Sequence, residues 1–155
     1  MLVALKRGFF TRRFRIRQGG VDLGELVVSA WRRRAEVELE GVRYSFGREA
    51  FGRGAFVLRA GGRTLAEAVK PSAFRSRFEV RVADRTYLLR KRSFWSGGFG
   101  VYEGEREVGT LRRRGFFARR VEIDLPERWP VAARVFFLWL ALNVWEREDA
   151  AAAGA

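Results

Sequence analysis

Trp31 is followed by Arg32-Arg33-Arg34, and the combination of ring and cation cluster recurs along the chain. Arg90-Lys91-Arg92 precedes Phe94-Trp95. Arg112-Arg113-Arg114 precedes Phe116-Phe117, with Arg119-Arg120 just beyond, and Arg12-Arg13 follows Phe9-Phe10. A guanidinium is a planar fork that fits phosphate and carboxylate oxygens and stacks on aromatic faces. Such clusters describe an anion platform, with cations for phosphates and rings for a bilayer interface or for stacking on bases. The plainer reading is that the arginines cover strand ends while the rings close off the core. The candidate anion- or lipid-binding residues are therefore Arg32, Arg33, Arg34, Arg90, Lys91, Arg92, Arg112, Arg113 and Arg114. Trp31, Phe94, Trp95, Phe116 and Phe117 are their aromatic companions.

Other chemistries find less support. The chain has no Cys and no His, which removes a thiolate nucleophile, the commonest general base and the commonest transition-metal ligands. Residues 46–54 (Phe-Gly-Arg-Glu-Ala-Phe-Gly-Arg-Gly) are glycine-rich, but neither a Lys-Ser/Thr pair nor a helical pattern follows, so they read as turn glycines. Ser93 and Ser96 lack a histidine to activate them. Glu36, Glu38 and Glu40, like Glu103 and Glu105, stand two apart and so point the same way from a strand, which suits a solvent face opposite Val37 and Leu39 with the charges paired to arginines. No catalytic residue, metal or cofactor is expected, and the reading is a non-enzymatic domain.

The charge supports anionic partners. Of 31 basic residues only Lys6, Lys70 and Lys91 are lysines, which leaves 28 arginines, and the net charge is +13. A field of this sign favours phospholipid, nucleic acid or an acidic protein, although a GC-rich genome also enriches arginine. With 155 residues, 48% of them hydrophobic, the chain suffices for one domain with a continuous core. The start, Met1-Leu-Val-Ala-Leu-Lys-Arg, meets its charges after a short apolar run, unlike a secretory signal, so a cytoplasmic location is expected.

Positioning these residues falls to a weak repeat. Alternating segments begin at Phe14, Val37, Phe56, Phe78, Phe99 and Val121, at intervals of 23, 19, 22, 21 and 22 residues. Most alternate apolar with charged residues, the pattern of a strand with one buried face. Each of the first five runs into a turn signal: Gly19-Gly20, Gly41, Gly61-Gly62, Ala83-Asp84 and Gly104. A second strand-like stretch follows, so each unit reads as a hairpin. Five hairpins and a partial sixth predict roughly ten to twelve strands in a closed antiparallel barrel. The basic clusters then fall between hairpins, on one rim, with the glycine turns on the other.

After Leu125-Pro-Glu-Arg-Trp-Pro130 the pattern changes. Val131 to Trp145 is apolar on all sides except at Arg134 and Asn143. Such a helix must be enclosed by protein or by lipid. Fifteen residues rise about 22 Å, short of a bilayer core of about 30 Å, so the helix is expected inside the barrel over about 130–147. Arg134 then either meets a carboxylate or lies near the mouth. Residues 1–149 form one domain, and 150–155 are expected to be a disordered tail.

A meander of hairpins ending at Ile123-Asp-Leu-Pro126 and the apolar Phe136-Phe-Leu-Trp-Leu140 resembles the tubby C-terminal-like superfamily, closest in pattern to the LURP-one-related and phospholipid-scramblase-like members. That resemblance implies a roughly twelve-stranded barrel around a central helix. Tubby domains imply phosphoinositide binding, and scramblases imply calcium. Asp22, Asp84, Asp124 and Asp149 stand far apart and supply no calcium loop. The resulting expectation is a binding or scaffold domain for anionic phospholipid headgroups, peripheral at a membrane face. Nucleic acid is the alternative partner.

Overall fold

The computed structural model describes residues 1–8, 12–29, 34–49, 55–70, 77–92, 97–114 and 119–154. Among them are twelve strands and one helix: β1 (Leu2–Lys6), β2 (Arg13–Gln18), β3 (Val21–Val28), β4 (Arg34–Leu39), β5 (Val42–Arg48), β6 (Phe56–Ala60), β7 (Arg63–Val69), β8 (Arg77–Val82), β9 (Arg85–Lys91), β10 (Phe99–Glu103), β11 (Arg106–Arg114), β12 (Arg120–Asp124) and α1 (Val131–Ala153). The strands pair antiparallel in chain order, and β1 closes the barrel by pairing with both β2 and β12. The partial sixth hairpin of the sequence is thus completed by the N-terminal strand, with Ala4 opposite Val121 on one side and Ile16 on the other.

Period-two alternation directs each strand's apolar row inward. Val37 and Leu39 of β4, Phe78 and Val80 of β8, and Val121 and Ile123 of β12 are all buried. These rows enclose α1, on which Ala132 to Leu142, Val144 and Trp145 are buried on every side. Trp139 fills the centre, 5.6 Å from the Phe46 ring and 5.7 Å from Phe56. Among the described residues no helix is long and apolar enough to cross a membrane.

A longer period underlies the hairpin repeat. Register shifts occur at Ile16/Arg17, Leu58/Arg59 and Val101/Tyr102, spaced by 42 and 43 residues, in every second hairpin. β4 (RAEVEL), β8 (RFEVRV) and β12 (RVEID) start 43 residues apart. The barrel is therefore built of three four-stranded units, β2–β5, β6–β9 and β10–β12 with β1. In two of them a bulge demands glycine. A Cβ on Gly24, at φ 152°, would lie 1.8 Å from the Glu38 carbonyl oxygen, and one on Gly109 would lie 2.3 Å from that of Asp124.

The helix differs from expectation at both ends. Pro130 is the residue preceding α1, and the helix continues through Ala153 instead of stopping near Arg147. Ala150 to Ala153 are the best helix formers, and the Gly154 N–H closes the last turn on the Ala150 carbonyl at 3.1 Å. The expected disordered tail is thus helical as far as Ala153, and Ala155 lies outside the described residues.

Candidate anion-binding mouth

The five tight turns gather at one end of the barrel, where α1 begins. The strand ends that flank the segments between hairpins gather at the other, where α1 leaves. Trp31, Arg32, Arg33, Phe94, Trp95, Phe116 and Phe117 belong to those segments and lie outside the described residues.

The basic triplets are not three neighbours on one surface. Arg90 and Lys91 are in β9, Arg112 to Arg114 complete β11, and Arg34 opens β4. Successive side chains on a strand leave by opposite faces. Lys91 follows the inward row of Tyr87 and Leu89, and Arg113 follows Leu111, so both reach the mouth half-buried. Their neighbours turn outward: Arg90 stacks over Tyr102 at 4.4 Å, Arg92 pairs with Glu107 at 3.2 Å, and Arg114 pairs with Glu122 at 3.1 Å. Arg112 and Arg34 are exposed, the latter beside a 260 Å³ groove that also touches Ser45 and Arg48.

The inward members belong to a larger set that inspection of triplets misses. Among the described residues, inward rows on seven strands end, at this mouth, in a cation. Lys6 follows Leu2 and Ala4 on β1, Arg12 precedes Phe14 on β2, and Arg119 precedes Val121 on β12. Arg48 follows Phe46 on β5, and Lys70 follows Ala66 and Ala68 beyond β7. With Lys91 and Arg113 they ring the end of the barrel. The three-unit repeat places them: Arg48 and Lys91 are 43 residues apart, as are Lys70 and Arg113. The signal was available in the sequence, one step beyond each apolar row, but Lys6, Arg48 and Lys70 stand outside the ring-and-cation clusters and draw less notice.

The outward members add a cationic wall. Arg112 faces Glu122, and Arg114 faces Arg120, across β11 and β12, while β2 presents Arg13, Arg15 and Arg17 beyond β1. The carboxylates here are shared. Glu25 receives Arg13 at 2.7 Å, Arg7 at 3.1 Å and Arg15 at 3.6 Å, and Glu122 serves both Arg114 and Arg120. The Arg13 hydrogen bond above all, with that of Arg7 and the field of both, holds the Glu25 carboxyl below its usual range against a partial burial that opposes them. Arg15 also reaches Asp22 at 3.3 Å, so Glu25, Asp22 and Glu122 together serve five guanidiniums, and the wall keeps a positive excess.

α1 enters this electrostatic arrangement with its own charges. Glu148 pairs with Lys91 at 2.5 Å and Asp149 with Arg113 at 3.0 Å, while Arg113 also covers the Trp145 ring at 4.9 Å. The Trp145 indole N–H donates to the Gly97 carbonyl at 2.7 Å. Among the described residues no group of three or more carboxylates could hold a metal ion.

In comparisons with known proteins, no family model, no curated protein and no solved structure matches the chain.

Proposed function

We propose that this protein is a non-catalytic binding domain for anionic phospholipid headgroups, peripheral at the cytoplasmic face of a membrane. The observation that carries the reading is the ring of cations ending the inward strand rows at one mouth, flanked by the arginine wall of β11, β12, β1 and β2. A two-dimensional array of guanidiniums suits a surface of headgroups, to which each cation near the surface contributes about 1 kcal/mol. The resemblance to tubby-like barrels points the same way. On the outward positions of those four strands there is no aromatic side chain, since Phe14 faces the core, and stacking platforms for single-stranded nucleic acid need them.

The test is co-sedimentation with phosphatidylcholine vesicles, with and without phosphatidylglycerol, at low and high salt. The protein should pellet only with the acidic vesicles and be released by salt. Arg112→Glu with Arg114→Glu should weaken binding by at least tenfold. A protein that stays in the supernatant throughout, or that prefers single-stranded nucleic acid with a steep salt dependence, would remove the lipid reading.

A further inference from the structure

The cations of the mouth are unequally employed. On the arc of β9 and β11, Lys91 and Arg113 are matched by Glu148 and Asp149. On the arc of β5 and β7, among the described residues, no carboxylate pairs with Arg48 or Lys70. Arg48 lies over the Phe56 ring at 5.6 Å, and Phe56 pairs in register with both Arg48 and Ala68. Lys70 is two residues past Ala68 and so continues the same inward row. Arg147 shares the helix stripe of Phe136 and Asn143, spaced by seven and four residues, and Phe136 packs against Phe46 of β5 at 5.8 Å. That stripe places Arg147 over the strand whose inward row ends in Arg48. Its Nε donates to the Asn143 carbonyl at 3.3 Å. Among the described residues none of the three forms an ion pair, and Glu49, next to Arg48 in sequence, is held by Arg59.

We propose that Arg48, Lys70 and Arg147 form a seat for a phosphoryl group, the chemistry that a lipid headgroup shares with a soluble phosphate ester. The inference rests on the anion-binding reading above and locates its centre. Three elements bring three cations to one arc, across about 10 Å of sheet spanned by two strand spacings. Long side chains from either edge reach a tetrahedral anion between them, and guanidiniums bind its oxygens in pairs. The assembly is unfavourable without an anion. Burial first, then the fields of Arg147 and Arg48, push the Lys70 ammonium below its ordinary pKa.

Two probes test it: phosphatidylcholine vesicles doped with phosphatidate, and inorganic phosphate read by thermal shift against chloride at matched ionic strength. Arg48→Gln and Lys70→Gln should each weaken vesicle binding about fivefold, the effect of one cation near the surface. Arg81→Gln removes the same charge from an exposed position on β8 near the turn end, and should bind like the wild type. Losses at Arg48 and Lys70 but not at Arg81 support the seat. Equal losses in all three variants overturn it and leave the lipid reading standing on general charge. A phosphate-induced stabilisation that Lys70→Gln abolishes, without vesicle binding, keeps the seat and replaces the lipid with a soluble ligand. Failure of the wild type to bind either probe overturns both.

Discussion

Arg134 is the one charged side chain that is buried among the described residues, at 2% exposure in the second turn of α1. Its Nε and one Nη have no hydrogen-bond partner there. Burial lowers its pKa, and the nearby Glu127 carboxylate only partly offsets this, since Glu127 pairs instead with the N-terminal amine at 3.2 Å. The sequence narrowed the position to a carboxylate partner or the mouth, and the outcome is the mouth at the turn end, with a carboxylate near but not bonded. Unsatisfied buried donors cost about 1–3 kcal/mol. Arg134→Met, which keeps the chain length and drops the donors, should raise stability to urea by about 1–2 kcal/mol. A lower unfolding midpoint would show instead that the guanidinium is held in the native state. Asn143, the other polar residue of the helix, satisfies itself by donating to the Trp139 carbonyl at 2.8 Å.

At the level of elements, strand alternation and the helix end together decide which cations are free. A triplet such as Arg112-Arg113-Arg114 is contiguous in sequence but divided in space, with two members on the wall and one in the mouth. The helix then selects among the mouth cations, because Glu148 and Asp149 face β9 and β11 while Arg147 lies on the stripe that packs against β5. Ion pairs this exposed contribute roughly 0–1 kcal/mol each, so a multivalent anionic surface can displace them. Glu148→Gln combined with Asp149→Asn should leave the thermal midpoint nearly unchanged. The same pair of changes should tighten binding to acidic vesicles by about tenfold or more, as two cations are released. Adding Lys91→Gln and Arg113→Gln should cancel that gain. An unchanged affinity in the first variant would mean that these carboxylates do not compete with the ligand.

For the whole molecule, closure is the decisive step, because the first strand must find the last across almost the entire chain. The Lys6 N–H donates to the Arg119 carbonyl at 2.8 Å, so alternate N–H groups of β1, including that of Ala4, point to β12. Ala4→Pro removes a closing hydrogen bond at a position buried on the inner face. It should destabilise by about 2–4 kcal/mol and, by exposing two strand edges, promote self-association. Size-exclusion chromatography with urea unfolding checks both, and a variant that stays monomeric with an unchanged midpoint would show that closure adds little. The three-unit repeat gives this closure its geometry, since β1 takes the place that β5 and β9 hold in the other units.

Alternation, turn glycines and a helix with no polar face were enough to specify an antiparallel barrel around a buried helix, because each is a local pattern with one packing solution. Roughly ten to twelve strands became twelve only when Leu2–Lys6 was seen to pair with Arg120–Asp124, a contact between the first and last strands that no local window contains. The end of the helix was misjudged because an alanine run has high helix propensity but no apolar pattern to announce it. The anion-binding candidates were legible as residue types but not as a surface. Which face each cation takes follows from strand register, and whether it is neutralised follows from where the helix places Arg147, Glu148 and Asp149. Those are relations between elements distant in sequence, and only the folded chain sets them.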